Sequence, residues 1–383
     1  MGYRRLLERL VAIDTTSAHT NLPLLAVVEE VLDAHGVPHE RVPDATGTKA
    51  NLLARIGPEV EGGVVVSGHT DCVPVEGQPW TRDPFTLHAA GGRLHGRGTT
   101  DMKGFLAVLL AAVPRFFAAD LRRPLLLALT YDEEIGTVGA PTAGERLLAS
   151  QPRPTAVLIG EPTGMEVVSG HKGIRAFTTV VEGLDGHSSQ PQRAANAVAA
   201  AARIATHLDD LATEHLTAAV DPRFDPPATT VNLATVRGGQ AINIVPRRCE
   251  LTWEYRPVPA DDSFAIRDEV DRFAQQVVLP RLRAHTGVGR IETRTDAVAR
   301  ALAIEPNGVA ERLARSLLGD DGPVRTVPFG TDGGHFQAAG LSTVVVGPGR
   351  IEQAHTPDEW VEEAQLEACD AFLDGLRDHL ASG

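Results

Sequence analysis

Four short apolar runs recur along this chain, and each leads into residues able to bind a metal or move a proton. The run 64–66 (VVV) leads to His69 and Asp71. The run 125–130 (LLLALT) leads to Asp132, Glu133 and Glu134. The run 156–159 (AVLI) leads to Glu161. The run 343–346 (TVVV) leads through Gly347, Pro348 and Gly349 to His355. Runs this short, apolar at consecutive positions rather than alternate ones, suit strands buried on both faces. A further run covers 51–56, and helical patterns lie between the runs. One is the stripe Leu24, Val28, Val31 and Leu32, closed by Gly36; another is the apolar stretch 105–117. Strands alternating with helices predict an α/β layer on a mostly parallel sheet. Ligands of such sheets collect beyond the carboxyl ends of the strands. The pattern therefore expects these histidines and carboxylates at one edge. Asp101 would join them from the glycine-rich turn GRGTTDMKG (96–104).

The middle of the chain reads differently. Half-exposed strand patterns at 176–182, 230–236, 249–255 and 290–295 enclose helical patterns at 194–208 and 264–278. The order β-α-β-β-α-β is the ferredoxin-like split unit. We expect a second α+β domain at 175–295, inserted into a catalytic domain made of 1–174 and 296–383. Beyond it, a helix is expected over 297–318 and a last helix from Pro357. For the latter, Thr356 would be the N-cap and Glu359 would complete a capping box.

Composition removes several function classes. Fifty acidic residues against 36 basic ones give a net charge of -14. A nucleic-acid binder needs a basic footprint, and an anionic membrane surface would repel this chain. Three cysteines, Cys72, Cys249 and Cys369, offer neither a disulfide framework nor a CxxC pair. The first residues, MGYRRLLERLVAID, lack the apolar core of a signal peptide. The apolar run 105–113 is too short to span a bilayer. The expected location is the cytoplasm.

Taken singly, each ligand-type group has an ordinary reading. His69 and Asp71 could be a surface pair, and the tandem carboxylates after Tyr131 a solvated face. Glu161 could cap a turn, and His355 could be a loop histidine. Together they are two histidines and at least three carboxylates without a cysteine pair, a donor set that suits two divalent ions, zinc first. Carboxylates crowded without a cation would repel one another and protonate. A two-metal site holds its ions about 3.5–4 Å apart and clamps a hydrolytic water between them. Glu133 and Glu134 are adjacent, so in an extended chain they point to opposite sides. One can bind metal while the other handles the proton of the water.

The segments SGHTDCVP (67–74), GRGTTDMKG (96–104), DEEIG (132–136), GEPTG (160–164), GHSSQP (186–191) and QAHTPDE (353–359) resemble, in that order, the M20 metallopeptidases. Within that family the stretches GQPWTRDPF (77–85), EPTGMEVVSGHKG (161–173) and VGPGRIEQAHTPDEW (346–360) look most like the acetylornithine deacetylase branch. The resemblance implies a zinc-peptidase-like catalytic domain with an inserted lid and dimerisation domain. It implies two Zn2+ per subunit, with Co2+ able to substitute. His69, Asp101 and Glu161 would hold one ion; Asp101 as a bridge, Glu134 and His355 would hold the other. Glu133 would be the general base, and Asp71 would orient His69. His187 would stabilise an oxyanion from the lid, and Asn243 and Arg256 would hold substrate. The implied substrate is a small N-acyl amino acid, acetylornithine first, and the implied assembly is a homodimer through the lid. The stretch GTDGGHF (330–336) departs from the deacetylase pattern. Its Asp332 leans toward the succinyl-diaminopimelate desuccinylases, and His335 is extra. Other N-acyl-amino-acid deacylases and dipeptidases share the metal chemistry. A silent binding protein on the same fold is the remaining alternative, but none of the six metal and base residues is missing.

Overall fold

The computed structural model describes residues 1–218 and 220–382. The chain divides into two compact units. One comprises Met1–Gly170, Leu302–Thr326 and Thr331–Gly383, and the other His171–Ala301 with Val327–Gly330.

The first unit is built on an eight-stranded sheet. Its centre is the parallel set Leu125–Thr130, Val64–His69, Ala156–Ile159 and Thr343–Val345, in that spatial order. Every residue of these four strands is buried, as expected of strands covered on both faces. The sheet is mixed at its flanks. Ala50–Ile56 is almost wholly buried yet pairs antiparallel with both neighbours, His39–Pro43 and Leu125–Thr130. Helices Lys103–Ala118 and Ala140–Ser150 both pack against it, so its apolar run reports burial rather than strand direction. In Lys103–Ala118 all the residues from Lys103 to Leu110 are buried, which makes it a core helix rather than an amphipathic surface one. The helices Tyr3–Val11 and Glu363–Ser382 pack against it.

Because the four central strands run parallel, the turns after them lie at one edge. Two glycines let these turns meet. A Cβ on Gly347 would stand 2.1 Å from the Gly160 carbonyl oxygen, and one on Gly160 would stand 2.3 Å from the Phe105 ring. The turn carrying Glu161 is thereby pressed against the loop that leads to His355.

Two expected helices differ. The strand Arg290–Ala299 continues through a bulge between Thr295 and Ala297, and the helix is confined to Val309–Leu318. Pro306, Asn307 and Gly308 precede that helix, and Asn307 has a positive φ of 57°, so the segment before it is a turn. The last helix is Glu363–Ser382, not one from Pro357. Thr356 and Glu359 lie in a loop followed by the short strand Trp360–Glu362. Their capping-box spacing misled because the Glu359 carboxylate is drawn elsewhere: it is buried against Arg97, 2.7 Å away.

The second unit is a four-stranded antiparallel sheet in the order Thr230–Gly238, Arg248–Arg256, Ile174–Glu182, Arg290–Ala299. The helix Ala197–Thr217 and the segment from Ala265 to Arg283 pack with it. Burial alternates along Arg248–Arg256, the period-2 signature of a sheet with one open face. On the covered face Phe177 stacks on Trp253 and Tyr255, with ring centroids 4.6 and 5.7 Å apart. This is the ferredoxin-like α+β unit.

Candidate active site

The strand Val64–His69 ends in a histidine whose two nitrogens face different partners. His69 Nδ1 lies 3.0 Å from the Asp71 carbonyl oxygen and 3.6 Å from Asp71 Oδ1. That leaves Nε2 facing inward, 2.8 Å from Asp101 Oδ1 and 3.6 Å from Glu161 Oε1. Asp101 comes from the turn before the Lys103–Ala118 helix. Its second oxygen, Oδ2, lies 3.2 Å from His355 Nε2. One carboxylate thus spans the two histidines, one oxygen to each. His355 Nε2 also contacts both oxygens of Glu134, at 3.0 and 3.2 Å.

Asp71 knits the elements together. Its Oδ1 accepts the Glu133 N–H at 3.1 Å, and its Oδ2 accepts the Glu134 N–H at 3.3 Å and the Ser17 hydroxyl at 2.7 Å. The DEEIG turn is further held by an ion pair between Lys49 and Asp132.

His69, Asp101, Glu161 and Asp71 are buried, whereas the His355 side chain is 48% exposed. Potential ligand atoms of His69, Glu133 and Glu161 lie within 4.8 Å of one another, as do those of His69, Asp101 and Glu134. Carboxylates outnumber histidines, and the electrostatics reflect it. Burial and the charge of Glu161 push Glu133 well above the usual carboxylate range, and burial and Asp101 do the same to Glu161. Burial and Asp101 push Glu134 up to about 7. Asp101 itself is held low; burial opposes this, but hydrogen bonds from His355 and His69 outweigh it. Burial also works against a charge on His355, yet Asp101 and Glu134 raise it to about 11. A buried surplus of acid that can be carried only as protons is what divalent cations relieve. The donor set of two histidines with several carboxylates fits such ions.

Two residues of uncertain purpose in the sequence are close by. Asp332 Oδ2 accepts the Thr130 hydroxyl at 2.6 Å, while Oδ1 is buried with no hydrogen-bond partner among the described residues. Burial raises Asp332 to about 6. His335 Nε2 lies 2.8 Å from Thr137 Oγ1. The start of the short helix Gly333–Ala338, with Asp332 just before it, therefore holds the DEEIG segment at both ends. Sequence reasoning missed the roles of Ser17 and Thr130, and it assigned Glu359 to a helix cap.

His187, Asn243 and Arg256 belong to the second unit. His187 is exposed on a two-residue ladder in which it pairs with Ile244, next to Asn243, and its Nδ1 accepts from the Ser189 hydroxyl at 2.7 Å. Arg256 is half-buried and forms an ion pair with Glu254, two residues before it, at 3.0 Å.

The model of peptidase family M20/M25/M40 matches residues 65–377. The chain belongs to that family. It is therefore a metal-dependent hydrolase of amide bonds. A curated relative from Myxococcus xanthus, an acetylornithine deacetylase, is 35% identical over 99% of this chain and 98% of its own. One of the same name from Proteus mirabilis is 33% identical over 95% and 92%. Among solved structures, an M20 family metallo-carboxypeptidase from Sulfolobus solfataricus superposes with a TM-score of 0.78 at 18% identity, covering 100% of this chain and 99% of its own. A tripeptidase from Staphylococcus aureus superposes with a TM-score of 0.75 at 19% identity, covering 100% and 98%. At that identity these two establish the M20 fold and nothing of the substrate. Among the described residues no helix is long and apolar enough to cross a membrane.

Proposed function

We propose that this chain is a two-zinc amidohydrolase that removes the acetyl group from N-acetyl-L-ornithine, releasing acetate and ornithine. The observation that carries the reading is the Asp101 carboxylate, with one oxygen toward His69 and the other toward His355. That is the arrangement of a ligand shared by two cations. The names of the relatives that match nearly the whole chain favour acetylornithine among the acyl amino acids.

In this reading His69, Asp101 and Glu161 hold one Zn2+, and Asp101, Glu134 and His355 hold the other, with Co2+ able to substitute. When bound, the ions supply Lewis acidity at the amide carbonyl and make water acidic enough to attack at neutral pH. Glu133 takes a proton from the attacking water. It returns one to the departing amine nitrogen as the C–N bond breaks. A carboxylate raised well above its usual range is suited to keep that proton between the two steps. Asp71 fixes His69 through Nδ1, so that Nε2 is the ligating atom. His187 donates a hydrogen bond to the oxyanion of the tetrahedral state. Asn243 holds substrate beside it. Arg256 exchanges Glu254 for the substrate carboxylate, which its guanidinium can grip in bidentate fashion.

We assign the catalytic domain to 1–174 and 296–383, and the lid to 175–295. The lid would form a homodimer by pairing an edge such as Thr230–Gly238, whose burial alternates between half-exposed and exposed. The enzyme would act in arginine biosynthesis in the cytoplasm.

A side-by-side hydrolysis assay of zinc- or cobalt-loaded protein tests this reading. The substrates are N-acetyl-L-ornithine, N-succinyl-diaminopimelate, N-acetyl-methionine and a simple dipeptide, with a chelator control. Chelator-sensitive preference for acetylornithine is expected. Preference for another member of the set would move the function to that sister activity, and no turnover of any by metal-loaded protein would overturn it.

A further inference from the structure

Of the groups that face Asp101, His355 has the least structure behind it. It lies on a loop, has a positive φ of 60°, and its side chain is 48% exposed. What holds this loop against the Asp101 turn is a buried clasp. Four residues after His355, the Glu359 carboxylate is 1% exposed. Its Oε1 accepts the backbone N–H of Thr100 at 2.9 Å and of Asp101 itself at 3.2 Å. Its Oε2 accepts the Gly98 N–H at 3.0 Å and Arg97 Nη1 at 2.7 Å. Arg97, equally buried, donates through Nη2 to Gln78 Oε1. Gln78 Nε2 in turn donates to the His355 carbonyl oxygen at 2.9 Å. Asp101 and His355 are thus tied through their backbones to one chain of three side chains.

A fully buried ion pair is a poor device for stability alone, because desolvating two charges offsets much of their attraction. Here Arg97 Nε is also buried with no hydrogen-bond partner among the described residues, a further cost. The return for that cost is positional: three of the four hydrogen bonds accepted by Glu359 come from backbone amides of the turn that presents Asp101.

The geometry points to Glu359, Arg97 and Gln78 as positioning residues that set the spacing of Asp101 from His355, and so the affinity of the cation position formed by Asp101, Glu134 and His355. This rests on the two-ion reading above. The clasp reaches neither Glu161 nor the strand that carries His69, so the position formed by His69, Asp101 and Glu161 is touched by it only through the shared Asp101, whereas the other position is touched through both Asp101 and His355.

Calorimetric titration of metal-stripped protein with Zn2+ against a competing chelator separates the two steps. The variants are Glu359→Gln, which removes the charge facing Arg97, and Gln78→Leu, which keeps the bulk but cuts the tie to the His355 carbonyl. The wild type takes up two ions. In Glu359→Gln one of the two steps is expected to lose about 10–100-fold in affinity, the scale of lost support around a ligand, while the other changes less than about threefold. Gln78→Leu gives the same pattern at smaller amplitude. Equal weakening of both steps, or no change in either variant, overturns the clasp. Should Glu359→Gln fail to fold, Gln78→Leu alone decides by the same criterion. Uptake of fewer than two ions by the wild type overturns the two-ion reading itself, and the clasp with it.

Discussion

Asp71 shows how one side chain can set several others. Its two oxygens accept the amides of both Glu133 and Glu134 and the Ser17 hydroxyl, while its main-chain carbonyl oxygen meets His69 Nδ1 at 3.0 Å with the carboxylate 3.6 Å away. Asparagine would put an NH2 where at least one of these donors points. Asp71→Asn is therefore expected to lower metal affinity about 10–100-fold, the usual cost of removing support behind a ligating histidine. A competition titration reads this, and wild-type affinity would remove Asp71 from the role. At this scale the sequence was legible where a strand delivers the residue. His69, Glu133, Glu134 and Glu161 all follow buried runs, and the sheet brings them together. The supporting residues were not legible. Ser17 meets Asp71 across 54 positions, and Thr130 meets Asp332 across 202; no local pattern marks either end.

At the scale of elements, consecutive burial identified the strands because apolar runs flanked by helices have few other uses. It did not give direction, as the antiparallel Ala50–Ile56 strand shows. Capping signals failed at residues 356–359 for a physical reason. A carboxylate at the third position of a helix gains little from a single amide, whereas Glu359 meets a guanidinium and three amides inside the protein. Closeness of elements, by contrast, is written in glycines. Gly160→Ala would drive a methyl into the Phe105 ring, and overpacking of this kind costs about 1–3 kcal/mol. The expected result is a lower melting temperature in a thermal melt monitored by circular dichroism. An unchanged melt would mean that the Phe105 helix can move away freely.

At the scale of the whole molecule, stability and metal are linked through protons. The pKa of Glu134 rises from its usual 4.5 to about 7 in the folded, metal-free protein. A raised pKa means that the proton-bound form stabilises the fold below 4.5 and that this contribution is lost as pH rises through 7. Glu133 and Glu161, raised well above their usual range, extend the loss upward. A divalent ion displaces such protons from its ligands, so it binds better as they become easier to remove. The increment in melting temperature on adding Zn2+ should therefore grow between pH 4.5 and 7. An increment independent of pH across that window would place the ion elsewhere. The ferredoxin-like unit was legible from its strand and helix order, whereas the dependence of the site on the Glu359 clasp was not, since it joins segments about 260 positions apart. The central claim is that these carboxylates and histidines form a two-ion hydrolytic centre with Glu133 as its base. Native mass spectrometry of zinc-loaded wild type and Glu133→Ala, paired with acetylornithine turnover, tests it most directly. The account predicts two ions in both proteins and at least about a 10²-fold loss of turnover in the variant. Two ions in both with near wild-type turnover, or no bound ion in the active wild type, would contradict it.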